Sequence, residues 1–413
     1  MRQLLRLRDA RVYLIGQGLS LFGDSCLFLA MGIWVKTLTG SSAAAGLVFF
    51  AFALPQVFAP LSGLLVDRVR RRPLLLATKI LAGLLVLLLV LVHSRERLWI
   101  IYLVMALYGA AYTVLSSAQS ALLPAFVPDE LLGEANGAFS TIRESLRLFA
   151  PLTGAAIFTA FGGAVLAVLD AVTFAAAAIS LALLRVHEPA PAPRVEHLWA
   201  EVTAGTRHIS RTPSLRGIVL ASAVAFLVIG FIETAAFAVV DQGLHREPAF
   251  LGFLTVAQGL GAVPAGLSAA AAMRRIGETR VVAAALGIFG AGCLLLAAPS
   301  LALVLLGCVG IGFSLPWMVV GFTTLLQRRT PSHLRGRVFA AADLALGVPQ
   351  TASLAFGAVL VNLLDYRAVL VIVASVVAAA GVGLGCTRDA QMPVRQPEPG
   401  GGPSGPPASA EAP

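Results

Sequence analysis

Residues 98–122 read LWIIYLVMALYGAAYTVLSSAQSAL, twenty-five residues without one Asp, Glu, Lys or Arg. An α-helix rises about 1.5 Å per residue, so this stretch makes a rod longer than the roughly 30 Å hydrocarbon core of a bilayer. Similar apolar blocks lie on both sides of it, at 12–35, 43–66, 73–93, 136–160 and 163–184. They continue at 217–240, 249–272, 280–298, 300–325, 338–363 and 367–386. Backbone groups in lipid must be satisfied within each segment, which makes these blocks helices. Alternating strand-length runs, the mark of a transmembrane barrel, are absent. The composition agrees: 58% hydrophobic, 12% charged and a mean hydropathy of +0.87, whereas soluble domains carry about 25% charged residues. The expected fold is an all-α membrane protein of about twelve transmembrane helices. The basic start (Arg2, Arg6, Arg8, Arg11) resembles a signal peptide, but its apolar run reaches Trp34 and is too long for one.

The net charge of +9 does not point to nucleic acid, because the basic residues sit in short loops between apolar blocks. With the N-terminus inside, inner segments carry 22 Lys and Arg residues and outer loops 5. That bias places both termini in the cytoplasm of a cell with a multi-pass inner (plasma) membrane protein. One inner loop, 123–135, dissents with Asp129, Glu130 and Glu134. Trp34, Trp99 and Trp199 lie near block ends, where Trp anchors at the interface. Cys26, Cys293, Cys308 and Cys386 lie in apolar runs without metal or disulfide spacing, and read as small buried hydrophobes.

Between the sixth and seventh blocks runs the longest polar stretch, with a Pro-rich start at Glu188–Pro193. Leu198, Val202 and Ile209 then share one helical face, as in an interfacial helix or a plain linker helix. The expected organisation is a six-helix bundle at 1–184, a cytoplasmic linker at 185–216, a second bundle at 217–386 and a disordered cytoplasmic tail at 387–413. The halves are related by a shift of 203 residues. Gly63 falls on Gly266, Gly109 on Gly312, Pro128 on Pro331, Gly133 on Gly336 and Gly154 on Gly357. Two pseudo-symmetric six-helix bundles form a repeat architecture of secondary transporters, with the substrate site between them.

The stretch Gly63-Leu64-Leu65-Val66-Asp67-Arg68-Val69-Arg70-Arg71-Arg72 resembles the loop between helices two and three of the major facilitator superfamily, with Arg70 where the family has Gly. Residues Ala118 to Asn136, with Pro124 and Pro128, are similar to the fourth-to-fifth helix junction of the exporter branch holding macrolide efflux proteins and the enterobactin exporter. So are Arg335-Gly336-Arg337-Val338-Phe339, Ser20 to Asp24, and Asp170 to Phe174 in their own places. The resemblance implies the major facilitator fold and alternating access. It also implies a conformational switch loop of Gly63, Asp67, Arg68, Arg71 and Arg72, with Asp67 held at the start of the eleventh helix near Gly336. Met105 stands where related drug–proton antiporters carry an Arg in helix four, four residues before Gly109.

Charges inside spans are costly in lipid and need a partner or a water-filled cavity. Asp24 lies near the middle of the first block and Glu233 in the outer half of the seventh. A carboxyl sheltered from water can take up and release a proton near neutral pH, which a proton-coupled carrier requires. Both are candidate coupling groups. The alternative is a buried ion pair that locks two helices, and Asp170 and Asp343 are read that way. Arg143 and Arg147, four apart, share a face of the fifth helix and are substrate-cavity candidates, or they pair with nearby acids. Gln119 and Ser116 belong to a polar stripe on the fourth helix, as cavity lining or as hydrogen-bond glue between helices.

Neither an HExxH nor a Walker-A motif occurs, and no catalytic, metal or cofactor site is expected. The expected function is secondary transport: proton-coupled efflux of small amphipathic molecules, of the drug- or siderophore-like kind that underlies multidrug resistance, by a monomer. The implied partners are a small-molecule substrate, protons and the lipid bilayer. An importer or symporter of a polar solute, and a non-transporting membrane sensor of the same fold, are the alternatives.

Overall fold

The structure, a computed structural model, describes residues 6–58, 66, 69–186, 198–331 and 334–386. Its first part holds α1 (Arg8–Thr39), α2 (Ser42–Ala53), α3 (Arg71–Leu87), α4 (Leu98–Leu122), α5 (Asp129–Phe161) and α6 (Gly163–Leu183). A short helix, α7 (Leu198–Arg211), leads into α8 (Pro213–Ala238), α9 (Leu251–Ile276), α10 (Glu278–Leu296), α11 (Leu301–Arg329), α12 (Arg335–Leu363) and α13 (Tyr366–Gly385).

Among the described residues, ten helical segments are long and apolar enough to cross a membrane, and two further apolar helices are shorter. The shorter two account for the remaining expected spans. One is 42–58, where α2 runs on as a 3-10 turn (Leu54–Phe58) up to the edge of the described segment. The other is the 33-residue α5, whose uninterrupted apolar part is only 149–161, because Arg143, Glu144 and Arg147 break its earlier half.

Local signals set the element ends. Gly40 closes α1 with φ 70°, a left-handed conformation that glycine adopts without strain, and its N–H returns to the Lys36 carbonyl at 2.8 Å. Ser41 then caps α2 by accepting from the Ala44 N–H at 3.2 Å. At the far end of α8 the helix widens into a π-turn, Val239–Gly243. Single π-turns of this kind occur often at functional positions.

The two sets of six helices pack alike. α1 packs on α5 and α6, as α8 packs on α12 and α13; α3 packs on α4 and α6, as α10 packs on α11 and α13. Lipid offers helices no hydrophobic drive to associate, so small residues must let backbones approach. The repeat glycines do this. A Cβ at Gly109 would overlap the Phe52 carbonyl across the α4–α2 contact. One at Gly312 would overlap the Gln258 carbonyl across α11–α9. Gly154 likewise meets the Cys26 backbone of α1, and Gly357 the Phe231 backbone of α8. One hydrophobic core is built from residues between Ala10 and Leu184. A second is built mainly from Ile209 to Leu384, with Ile33, Ala45, Phe49 and Ala155 of the first set joining it. Leu81, Leu267 and Leu363 point outward, the reverse of a soluble protein.

The sets meet along α2–α12, α2–α8 and α5–α9. Arg71, Arg72, Arg328 and Arg329 mark one end of the bundle, here called the basic end. There Arg72 donates from Nε to Leu181 O (2.9 Å) and from Nη2 to Ala182 O (2.7 Å), capping the carbonyl end of α6. α7 packs on α12: a Cβ at Gly205 would overlap the Arg337 carbonyl, and Ile209 is buried. Trp34 departs from its expected interfacial role. Its ring is buried, beside Phe158 (centroids 6.0 Å apart) and over Gly163, because α6 starts with a glycine that leaves space for it. Trp99 is largely exposed on the membrane-facing surface, while the Trp199 side chain lies outside the described part.

Candidate functional site

α1, α3, α4 and α5 enclose a cavity of about 290 Å³. Asp24 and Lys79 line it together with Gln119 and Ser116 of α4 and Arg143 of α5, and Tyr13, earlier on α1, lines it as well. The register of α1 puts Asp24 there. Its neighbour Gly23 lies flush against α6, where a Cβ would overlap Asp170 Oδ1 and Thr173 Oγ1, so Asp24 turns toward α4. The Tyr108 hydroxyl donates to Asp24 Oδ1. Tyr108 itself is buried and lies edge-on to the Phe174 ring at 5.9 Å.

Lys79 was not singled out by the sequence reading. It is 2% exposed in the middle of α3, donates to Ser20 Oγ at 2.7 Å, and sits 4.8 Å from the centre of the Phe174 ring. A signal for it existed. Of 30 basic residues only two are Lys, and one of these falls within the most apolar of the candidate spans. A buried ammonium needs opposite charge nearby, and the carboxylates whose field it feels are Asp24 and Asp170.

Asp170, expected to be structural, belongs to the same cluster. It is fully buried on α6, its Oδ1 accepts from Thr173 Oγ1 at 3.2 Å, and its Oδ2 has no hydrogen-bond partner among the described residues. Gln119 donates to Gln17 Oε1 at 2.7 Å and ties α4 to α1 while lining the cavity. Arg147 sits one turn along α5 from Arg143, and its side chain lies outside the described part, as do Gly63, Asp67 and Arg68.

Glu233 lies elsewhere. It lines a separate, smaller cavity of about 90 Å³ between α8 and α9, with Thr255 and Gln258 as polar neighbours and Phe49 and Phe237 as apolar ones. Asp343 is exposed on α12. At the end opposite the basic one, Lys36 donates to Asp241 Oδ2 at 2.7 Å across the two sets of helices, and also to Gly40 O (2.8 Å) and Ser42 Oγ (3.1 Å). Phe49 and Phe237 stack beneath that pair at 6.1 Å. The arrangement therefore has a charged cavity within the first set of helices and a closed contact between the two sets.

The family model described as Major Facilitator Superfamily matches residues 13–250 and 234–410. The chain is 26% identical over 366 residues to the uncharacterized MFS-type transporter YfiS of Bacillus subtilis, covering 84% of this chain and 85% of that one. It is 26% identical over 329 residues to the multidrug efflux pump Tap of Mycolicibacterium fortuitum, covering 76% and 80%. Macrolide efflux protein A of Streptococcus pyogenes is 24% identical over 186 residues, 44% of this chain and 45% of that one. Among solved structures, a bacterial homologue of the iron transporter ferroportin matches with TM-score 0.72 in its inward-facing state, at 17% identity over 92% of this chain and 98% of that one. Its outward-facing state matches with TM-score 0.61.

Proposed function

The chain belongs to the major facilitator superfamily, and from that premise we propose that it is a proton-coupled exporter of small amphipathic molecules in the inner (plasma) membrane. Asp24 is the coupling carboxyl. The observation that carries this reading is the placement of Asp24: a carboxyl on a cavity-lining helix, held by Tyr108 and faced by Lys79, where a group would be costly without a use. Six of the eleven cavity-lining residues are Leu, Phe or Tyr, beside the charged Asp24, Lys79 and Arg143, a mixed lining that suits an amphipathic cargo. Relatives that carry efflux names support the export direction.

In this reading both termini and α7 are cytoplasmic, and the cavity opens to the cytoplasm. The higher likeness to an inward-facing transporter supports that state. Cargo and proton compete for Asp24. When the far contact at Lys36–Asp241 opens and the basic end closes, cargo leaves and a proton replaces it; the proton is released inward on return. Only a ligand with different affinity for the two states can drive such a cycle. Gly63, Asp67, Arg68, Arg71 and Arg72 act as the conformational switch loop, Arg143 and Arg147 with Gln119 and Ser116 contact the substrate, and Glu233 is the second coupling candidate. The protein works as a monomer.

The test is Asp24→Asn in inside-out membrane vesicles, with a panel of amphipathic dyes and drugs under an imposed pH gradient. The substitution keeps the side-chain volume and removes the exchangeable proton. Gradient-driven accumulation is lost while downhill exchange persists. Accumulation that survives in Asp24→Asn refutes the assignment and moves it to Glu233.

A further inference from the structure

The cluster around Asp24 is unbalanced. Three helices bring two carboxyl groups, Asp24 and Asp170, to a single ammonium, Lys79; Tyr108 and Tyr112 of α4 and Cys26 of α1 are the further titratable groups beside them, and Arg143 lines the same cavity. The two carboxyls differ in access. Asp24 lines the cavity, whereas Asp170 is fully buried and sealed against α1 by Gly23. They also differ in hydrogen bonding. Asp24 accepts from Tyr108, while one oxygen of Asp170 has no donor among the described residues. A buried carboxyl oxygen without a partner is costly and rare enough to require a reason.

Lys79 supplies one. An ammonium has three donors, and the hydrogen bond in the structure is the one to Ser20 Oγ. Its head lies over Phe174, one turn along α6 from Asp170. The two helices are close on that side: a Cβ at Gly83, one turn along α3 from Lys79, would lie 3.2 Å from the Phe174 Cβ and 3.7 Å from the Ala171 carbonyl. The lysine therefore lies between a carboxyl that can be filled from the cavity and one that cannot.

We propose that Asp170 is a second berth for the Lys79 ammonium, a positioning residue that takes the lysine's charge whenever Asp24 is occupied by a proton or a cationic cargo. This rests on the role of Asp24 proposed above and extends it. With Asp24 empty and ionised, Lys79 compensates it, and Asp170 is the group left short. With Asp24 neutralised, Lys79 turns its spare donors to Asp170 Oδ2. The ammonium stays charged and paired throughout, and filling Asp24 pulls α3 toward α6, away from α1. Occupancy of the cavity is thereby converted into a change in helix packing. Asp170 also competes with Asp24 for Lys79, which makes Asp24 easier to protonate than a dedicated Asp24–Lys79 pair would be.

The experiment reads Asp24 without any cargo. Infrared spectra of the purified full-length protein in detergent are recorded against pH, and the carboxylic-acid carbonyl band that disappears in Asp24→Asn is followed. In Asp170→Asn, Lys79 is left to Asp24 alone, and the midpoint of that band moves to lower pH by about one unit, a tenfold change in proton concentration. The shift depends on Lys79: an unchanged midpoint, or the same shift from Asp170→Asn in a Lys79→Gln background, which loss of a neighbouring negative charge alone would give, overturns the proposal. If no band belongs to Asp24 in the wild type, the coupling assignment itself fails, which is a distinct outcome. Where Asp170→Asn does not fold, thermal unfolding of Lys79→Gln and of Lys79→Gln with Asp170→Asn decides. The double variant regains stability lost in the single one if Asp170 is a berth for Lys79, and absence of that recovery overturns the proposal.

Discussion

The Lys36–Asp241 pair gives the sharpest test of how the two sets of helices move. Asp241→Asn removes the charge and keeps the shape. Lys36 is 6% exposed and holds two other acceptors, Gly40 O and Ser42 Oγ, so the variant leaves no orphaned ammonium. The loss is then the ion pair itself. A desolvated charge-assisted hydrogen bond contributes about 1.5–3 kcal/mol, and an exposed ion pair about 0.2–1 kcal/mol. The Asp241 side chain is 49% exposed and so partly screened, which puts this pair near ~1 kcal/mol, or about a fivefold shift in a two-state equilibrium. The pair joins α1 to the π-turn after α8 and so ties the two sets of helices together at that end. Spin labels at Ser41→Cys and Gln242→Cys, in a background without the native cysteines and in lipid nanodiscs, report the separation there. Asp241→Asn increases the long-distance population about fivefold. Lys36→Met does the same, and the double variant adds little more. Full additivity of the two substitutions, or an unchanged distance distribution, refutes the latch.

Further expectations follow from the same contacts. Gly109→Ala and Gly312→Ala each drive a methyl into a neighbouring backbone carbonyl and cost about 1–3 kcal/mol, seen as earlier thermal unfolding in detergent. Gly287→Ala, with no neighbour within 4 Å, is the control and leaves unfolding unchanged or later. Arg72→Ala removes two hydrogen bonds to the last turn of α6 and costs about 1 kcal/mol, and Arg72→Lys, lacking the second prong, recovers only part of it. In a variant with Cys386 replaced by Ser, an impermeant thiol reagent outside intact cells labels Ser94→Cys and not Ser210→Cys; the reverse pattern overturns the proposed orientation.

The membrane fold was legible because its determinants are local. A run such as 98–122 has to be a helix in lipid whatever surrounds it, and the spacing of arginine loops sets how many such runs there are. The repeat was legible too, since Gly109 and Gly312, like Gly154 and Gly357, are held to one residue type by one kind of backbone contact. Asp24 could be singled out as an isolated charge in an apolar block. Local reasoning failed where a residue's meaning depends on a distant partner. Trp34 reads as an interfacial anchor until Gly163, 129 positions away, opens a space for its ring.

The sequence by itself determined that the chain fills a bilayer with helices, that its halves repeat, and that Asp24 stands alone in an apolar span, because each of these follows from the cost of polarity in lipid at that point in the chain. Only the tertiary structure decided that Asp24, Lys79 and Asp170 form one cluster while Glu233 lines a different cavity, and that Lys36 closes on Asp241. Those groupings come from helix rotation and close approach at glycines such as Gly23. A charge within a single helix carries no record of which charges the other helices will turn toward it.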